Sequence, residues 1–221
     1  GLRADAGSPP AASTSLFIGE NMKFLIYCTI FFITFIISSC IQNDRITAIN
    51  TSNELKQNML LSGISDHWNE IGDVNWSFQD ETVSSTSGTG HLISKESYDN
   101  FILEADFWIN DVGNSGIFIR CSNYEEIAAA TCYEINIFDQ RPDQRFRTGG
   151  IVNYAEPKVY INAGGNWNRF KIIADGPSII VYLNGHLVVD IVNSKLRSGP
   201  ITLQNNGGAI VKFKNVLLEE L

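Results

Sequence analysis

The sequence is poor in the residues that mark metal and nucleotide enzymes. Its 221 residues include three histidines and four cysteines, and their spacing matches no zinc site. Its glycine-rich segments do not open a helix, so none is expected to cradle a phosphate. A serine-hydrolase signature is also missing. The nucleotide-binding, zinc-hydrolase and serine-hydrolase classes are therefore not indicated.

A surplus of basic charge is missing too. Lys and Arg total 16 against 24 Asp and Glu, which gives a formal net charge of −8. Binding to a phosphate backbone depends on cationic side chains, so this balance argues against nucleic acid as a partner.

No apolar run reaches the roughly 20 residues that a membrane-spanning helix needs. The longest run, residues 24–37, follows Met22-Lys23 and ends at Ser38-Ser39-Cys40. A basic start, a short apolar stretch and small residues at its end are typical of a secretory signal peptide, and Cys40 after two small residues resembles a bacterial lipobox. We predict lipidation of Cys40 and an exported protein anchored in the cell envelope, in the periplasm or at the outer membrane. An ordinary signal peptide or a short membrane anchor is the alternative.

Composition divides the chain into four parts. Residues 1–21 contain a Pro/Ala/Ser-rich stretch without hydrophobic periodicity and are interpreted as a disordered leader or a mistranslated upstream segment. Residues 22–39 form the predicted signal peptide, and residues 40–58 form a polar tether. Residues 59–221 are long enough for one domain with a sizeable core.

The predicted domain lacks any long helical period. Short runs of β-branched and aromatic residues alternate with Gly, Asn, Asp and Ser clusters, which is typical of an all-β protein. Predicted strands cover residues 76–78, 90–93, 101–109, 116–121, 132–138, 149–154, 167–174, 178–183, 186–192, 199–204 and 210–219. This number of strands favours a sandwich of two antiparallel sheets. Asn184-Gly185 is the clearest hairpin turn.

Two cysteines remain for the folded region. Cys121 and Cys132 are close enough in sequence to close a short loop with a disulfide in an oxidising compartment, which stabilises by roughly 3 kcal/mol. Two buried thiols are the alternative.

Polar residues concentrate in two neighbouring strands. Strand alternation places Gly116, Phe118 and Arg120 on one face, and it places Glu134 and Asn136 on one face of the next strand. Charge, amide and aromatic ring on a shared face suit a sugar, whose hydroxyls need donors and acceptors and whose C–H faces need rings. A surface ion pair between Arg120 and Glu134, unrelated to function, is the alternative.

Two more side chains are open to several interpretations. Asp139 ends its strand and is a turn-former, a metal ligand or a catalytic carboxylate, with the turn as the default. His91 opens a strand after a Gly-rich segment and is a candidate base or ligand.

Taken in order, several segments resemble the 3-keto-disaccharide hydrolase domain family of bacterial exported proteins. The resemblance covers about residues 60–221. The matching segments are residues 90–94 (GHLIS), 98–104 (YDNFILE), 114–120 (NSGIFIR), 133–139 (YEINIFD), 148–151 (TGGI), 166–168 (NWN), 183–185 (LNG), 199–204 (GPITLQ) and 211–216 (VKFKNV).

The resemblance implies a concanavalin A-like jelly roll and cleavage of glycosides oxidised to a ketone at sugar C3. The ketone acidifies the C2 proton, so a base removes it and the aglycone leaves from C1, with water adding afterwards. Such a reaction needs a base, an acid and a group that stabilises enolate charge. A divalent metal ion is the cofactor that the resemblance leaves open.

The same resemblance implies roles for individual residues. Glu134 would act as base or acid, and Arg120 would stabilise the enolate or the ketone. Asp139 would be a second carboxylate or a metal ligand, and His91 is a further catalytic candidate. Candidates for sugar binding are Asn136, Gln204, Trp167 and Tyr154.

The chain departs from the family pattern in three places. Asn136 stands where a Gln is usual, Asp80-Glu81 where Asp-Gly is usual, and Asn205-Asn206-Gly207 follows where the family has His-Gly. The missing histidine favours a rival hypothesis, a carbohydrate-binding lipoprotein without catalysis. A structural adhesion domain is a third, and fold alone does not separate them. The sequence indicates no oligomeric state.

Overall fold

The described part of the protein is almost entirely β-structure. A computed structural model describes residues 56–61 and 64–221; the predicted leader, signal peptide and lipidation site at Cys40 lie outside them. The strands of this part are β1 Gln57–Asn58, β2 Trp68–Gly72, β3 Trp76–Gln79, β4 Thr82–Ser85, β5 Gly90–Ser94, β6 Phe101–Ile109, β7 Ser115–Ile119, β8 Tyr133–Ile137, β9 Trp167–Asp175, β10 Ser178–Leu183, β11 His186–Val192, β12 Thr202–Asn205 and β13 Val211–Glu220.

The strands form two antiparallel sheets. An eight-stranded sheet has the order β11-β10-β9-β6-β13-β4-β3, with β1 paired to β13, and a five-stranded sheet has the order β2-β5-β12-β7-β8. Apart from these strands the described residues contain a short helix, α1 Ile64–His67, and a 3₁₀ turn, Gln144–Phe146. The predicted all-β, two-sheet class is confirmed.

Alternation along the strands builds the core between the sheets. In β6 every second residue, from Phe101 to Ile109, is buried, and the intervening residues are partly exposed. The five-stranded sheet contributes Leu92, Ile117 and Ile135 to the same core. Burying each such side chain stabilises the fold by about 1.5–3 kcal/mol.

Most predicted strands are found, with shifted ends. Residues 149–154, predicted as a strand, form only isolated bridges from Ile151 to Ile135 and Ala155. Strands β1, β2 and β4 were not predicted, because their short, polar segments carry little hydrophobic alternation. The Asn184-Gly185 turn joins β10 to β11 with φ of 52° and 81°, as a type I′ turn requires.

A disulfide joins Cys121 to Cys132 and closes the loop between β7 and β8. Both sulfurs pack with Phe118 and Ile127 in a small apolar cluster separate from the main core. No helix among the described residues is long and apolar enough to cross a membrane.

Candidate functional site

The face of the five-stranded sheet that points away from the core carries the predicted polar residues. His91 is paired with Gln204 across β5 and β12, and Gly116 is paired with Asn136 across β7 and β8. Because β12 also pairs with β7, these four positions form one row across four strands. We call this surface the polar face.

A second row crosses the polar face beside the first. Thr202 is paired with Phe118, and Phe118 with Glu134. The register of these strands, rather than closeness in sequence, therefore places Phe118 between Glu134, its cross-strand partner, and His91, which its ring contacts.

Glu134 is buried without a polar partner. Its residue is 8 % exposed, and within the described part of the chain its carboxylate makes no hydrogen bond or ion pair. Burial raises the pKa of Glu134 to about 7, although the charge of Arg141 opposes the shift. A carboxyl group with this pKa exchanges protons readily near neutral pH, which is the property of a general acid or base.

His91 is held as a neutral ring. It lies edge-on to Phe118, with 5.2 Å between ring centroids, and its Nδ1 is 3.2 Å from Thr202 Oγ1. Burial lowers the pKa of His91 to about 4. At neutral pH the imidazole is therefore a neutral hydrogen-bonding group of the polar face, not a cation.

Two amide oxygens on the polar face lack partners. Asn136 donates its Nδ2 to the carbonyl oxygen of Phe146, while its Oδ1 and the Oε1 of Gln204 are buried without a hydrogen bond. Unpaired buried acceptors are costly and mark places where a ligand or water donates. A sugar bearing hydroxyl groups supplies such donors.

Gly116 lies between these two amides and allows close packing around its backbone. A Cβ at this position would lie 3.2 Å from the Phe118 ring and 3.4 Å from Glu134 Cγ. A larger residue would therefore push the Phe118 ring or the Glu134 side chain out of its present position.

Arg120 does not lie on the polar face, contrary to the prediction. Its backbone is left-handed, with φ of 52°, which breaks strand alternation just before Cys121. The buried guanidinium instead donates to the carbonyl oxygens of Asp99, at 2.6 and 3.0 Å, and Gly176, at 2.7 Å. Arg120 therefore ties the turn between β9 and β10 to the start of β6. The alternative ion pair with Glu134 is wrong, and the carbonyl contacts of the guanidinium do not favour the predicted enolate role.

Asp139 is placed as a loop organiser. Its Oδ1 accepts a hydrogen bond from Thr148 Oγ1, and its Oδ2 accepts from the backbone N–H groups of Ala163 and Gly164, at 2.7 and 3.0 Å. Arg147 lies 3.6 Å from Oδ1. Protein donors thus occupy both oxygens, so Asp139 does not fit a metal ligand, and the described residues contain no cluster of three or more His, Cys, Asp or Glu side chains.

Two predicted sugar-binding aromatics also lie elsewhere. Trp167 is on the outer face of the eight-stranded sheet, opposite Trp108. Tyr154 packs edge-on against Tyr133, which faces the core, and its hydroxyl accepts a hydrogen bond from Lys195 at 2.9 Å. The structure therefore gathers His91, Glu134, Asn136 and Gln204 from the predicted set and separates Arg120, Asp139, Trp167 and Tyr154 from them.

The cation that acts on Glu134 is Arg141, which sequence reasoning missed. Arg141 is partly buried in the loop after β8, and its positive charge favours the ionised form of Glu134. No motif marks this position, because the loop from Phe138 to Thr148 is placed by its tertiary contacts.

The family model of the 3-keto-alpha-glucoside-1,2-lyase-like domain matches residues 61–219. The chain belongs to this family. The match confirms the resemblance that the segments suggested, and it spans β2 to β13. Membership of this family indicates a carbohydrate-active protein, of a glycoside hydrolase-like or a carbohydrate-binding kind.

Solved structures similar to the chain share its fold. A candidate glycosyl hydrolase of Parabacteroides distasonis has a TM-score of 0.64 at 22% identity, over 75% of this chain and 99% of that one. A carbohydrate-binding module, CBM66, of Bacillus subtilis has a TM-score of 0.54 at 22% identity, over 70% and 96%. The β-glucanase of Bacillus licheniformis has a TM-score of 0.52 at 13% identity, over 74% and 96%. These likenesses show a concanavalin A-like jelly roll. Among curated proteins, none matches the chain.

Replacing Arg120 tests its structural placement. We expect Arg120→Lys to lower the free energy of unfolding by about 2–4 kcal/mol, because one ammonium group cannot reach every carbonyl that the buried guanidinium now binds. Urea denaturation measures the change. Arg197→Lys, at an exposed position, is the control and is expected to shift stability by under about 0.5 kcal/mol. Equal midpoints for Arg120→Lys and the wild type would contradict this placement.

Burial of Glu134 predicts a pH-dependent difference in stability. Its folded pKa of about 7 exceeds the usual 4.5, so its contribution to stability is complete below about pH 4.5 and is lost as pH rises through 7. Glu134→Gln removes this titration. We expect the variant to be more stable than the wild type at pH 8, by on the order of 3 kcal/mol, with little difference at pH 4.5. Thermal unfolding of both proteins at both pH values measures this difference in stability. A difference that does not change with pH would show that Glu134 is not desolvated.

Proposed function

We propose that the protein is an enzyme that cleaves 3-keto-glycosides in the bacterial cell envelope, with Glu134 as its acid–base group. The observation that carries the proposal is the buried, unpartnered carboxyl group of Glu134, with a pKa of about 7, on a face where the amide oxygens of Asn136 and Gln204 also lack hydrogen-bond partners. Family membership adds the substrate class.

The proposed reaction begins with proton transfer from sugar C2 to Glu134. The C3 ketone makes this proton acidic, and the C2–H electron pair first passes into the C2–C3 bond, which places negative charge on the C3 oxygen as an enolate. The enolate electron pair then forms the C1–C2 double bond as the bond from C1 to the aglycone oxygen breaks, and the C3 ketone is restored. The leaving oxygen takes up a proton, and water then adds across the new double bond. General-base catalysis of this kind contributes about 10²–10⁴-fold to the rate.

The remaining groups of the polar face have supporting roles in this proposal. The Oδ1 of Asn136 and the Oε1 of Gln204 accept hydrogen bonds from sugar hydroxyls. Arg141 supplies positive charge for the enolate, the role predicted for Arg120. The neutral His91 ring serves as a hydrogen-bonding partner of the sugar, because its low pKa leaves it without an acidic proton at neutral pH.

A non-catalytic carbohydrate-binding protein is the second candidate. Asn206 stands in the segment where the family resemblance has a histidine, and its backbone N–H donates to Asn114 O at 3.2 Å. If the family's histidine carries a proton in the reaction, its absence here leaves a binding site without complete catalytic machinery.

Incubation with a 3-keto-glucoside bearing a chromogenic aglycone tests catalysis. We expect release by the wild type to increase with pH through about 7 as Glu134 ionises, and Glu134→Gln to lower kcat by at least about 100-fold. Glu126→Gln, an exposed change in the disulfide-closed loop, is the matched control and should retain the wild-type rate. Parallel reactions with a chelator and with added Mn²⁺ test the divalent metal ion that the family resemblance leaves open.

The outcomes separate the two candidates. Release that Glu134→Gln abolishes supports catalysis by this carboxyl group. No release by the wild type under any metal condition, with sugar binding still measurable by calorimetry, supports the binding protein. Release that is unchanged in Glu134→Gln overturns the proposed base.

Envelope anchoring through Cys40 is part of the same proposal and has its own test. We expect the chain, expressed in a bacterium with residues 22–221 intact, to incorporate labelled palmitate. Cys40→Ser should abolish the label, because the thiol is the acyl acceptor, whereas Cys28→Ser, within the apolar run, should retain it. Labelling that survives Cys40→Ser would exclude this lipidation site.

A further inference from the structure

The eight-stranded sheet has an outer face of its own, on the side of the sandwich away from Glu134. There Trp167 is paired with Trp108, and Trp108 with Lys212. The next row pairs Arg169 with Asp106, and Asp106 with Lys214. The rows lie on adjacent strands in register, so their side chains form one continuous surface, which we call the tryptophan-lysine face.

Each indole of this face is paired with an ammonium group. Lys214 Nζ lies 4.1 Å from the Trp167 ring centroid, and Lys212 Nζ lies 5.3 Å from that of Trp108. Trp167 is 43 % exposed, and Trp108 is partly exposed. Two aromatic rings and two cations therefore reach solvent within two neighbouring rows, with cation–π attraction fixing their arrangement.

The carboxylates of this face are already paired with other cations. Asp106 binds Arg169 at 2.6 Å, and Glu104 binds Lys56 at 2.8 Å and lies 3.6 Å from Arg169. Among the described residues, no ion pair engages Lys212 or Lys214. Their ammonium groups contact the indoles, and the charge of Lys214 also helps to lower the pKa of Asp106, but neither is neutralised by a carboxylate within ion-pair distance.

Positive charge is concentrated here although the chain is acidic. The two rows of this face and the adjacent row of Lys171 and Glu104 present two carboxylates, Glu104 and Asp106, and five cations, Lys56, Arg169, Lys171, Lys212 and Lys214; Glu219 and Asp190 lie on the same side of the sheet outside these rows. The whole chain has a net charge of −8. A local excess of cations on an acidic protein indicates an anionic partner.

The spacing of the row suits an extended chain of sugar rings. Neighbouring strands lie about 4.8 Å apart, close to the length of one pyranose unit, and the first row continues from Lys212 through Ser84 to Ser77. A polymer crossing the strands thus meets two indoles, an ammonium group and two hydroxyls in succession. A cavity of about 300 Å³ lies beside Arg169 of the second row and is also lined by Lys171 and Tyr182. It offers room for a side branch of the polymer.

We propose that the tryptophan-lysine face binds a polysaccharide that carries uronic acids. Indoles contact the apolar faces of sugar rings, and the ratio of one ammonium group to each indole matches one carboxylate per ring better than the denser charge of a sulfated glycan. Binding here leaves the polar face free, so the protein holds an anionic glycan on one side of the sandwich while the opposite side takes its own ligand. The inference does not depend on catalysis at Glu134.

Binding of polygalacturonate to the whole chain tests the inference. Affinity electrophoresis and calorimetry at low salt compare the wild type with Lys212→Gln/Lys214→Gln and with Trp167→Ala. We expect each variant to bind at least about 10-fold more weakly, and the double lysine variant to show a flatter dependence on salt. Lys158→Gln/Arg197→Gln removes the same charge at exposed positions elsewhere and should bind like the wild type. Circular dichroism establishes that all variants are folded.

Additional ligands and the Glu134→Gln variant show which face of the sandwich holds the polymer. Glu134→Gln should leave polygalacturonate binding unchanged, and uncharged dextran should not compete for it. No binding by the wild type, equal losses in the control double variant, or preferential binding of heparin or of phosphatidylglycerol vesicles would each overturn the proposal. Loss of binding in Glu134→Gln would instead assign the polymer to the polar face.

Discussion

Burial of alternate residues between the two sheets is the constraint on which the rest of the molecule depends. Once Ile117 and Ile135 are packed in the core, Gly116, Phe118, Glu134 and Asn136 must face the other way, because successive side chains of a strand point to opposite faces. A slip of one residue in β8 would bury Glu134 between the sheets. The apolar core thus fixes the position of the polar face with no interaction between the polar residues themselves.

The same packing explains why Glu134 lowers the stability of the fold and also has a pKa suited to proton transfer. Glu134 lies beside Phe118 and is only 8 % exposed, and its carboxyl group receives no hydrogen bond in return among the described residues. Desolvation disfavours the charged form, which raises the pKa into the neutral range. An ionised carboxylate in this position lowers the free energy of unfolding. Buried ionisable groups with such shifted pKa values are common at sites that exchange protons.

The two outer faces of the sandwich differ in chemistry because they differ in exposure. The polar face is nearly closed, so single unpaired atoms such as the Oδ1 of Asn136 dominate its behaviour. The tryptophan-lysine face is open, and its charges act together over a surface, where salt and the density of charge on a ligand decide binding. One fold therefore presents a nearly buried polar face and an exposed charged face, on opposite sides.

Much of this architecture is encoded locally. Hydrophobic alternation located most strands and the all-β class, the Asn184-Gly185 pair identified its hairpin, and the order of short segments identified the family. Alternation also placed Glu134 and Asn136 on a shared face, since strand periodicity is a property of the backbone. Residues 149–154 were predicted as a strand from the same signal but make only isolated bridges.

Tertiary structure decided which polar residues meet. Arg120 follows the alternation rule only until its left-handed backbone turns the side chain away, and carbonyl groups of distant turns then satisfy it. The carboxylate of Asp139 accepts a hydrogen bond from the backbone of Ala163, 24 residues later in the chain. The charge of Arg141 acts on Glu134 from a loop that hydrogen-bonds to Asn136 of β8. The sequence by itself determined the strands, the faces and the family. Contacts between segments far apart in the chain decided the site, because hydrogen bonding and desolvation of a side chain depend on neighbours that local sequence does not specify.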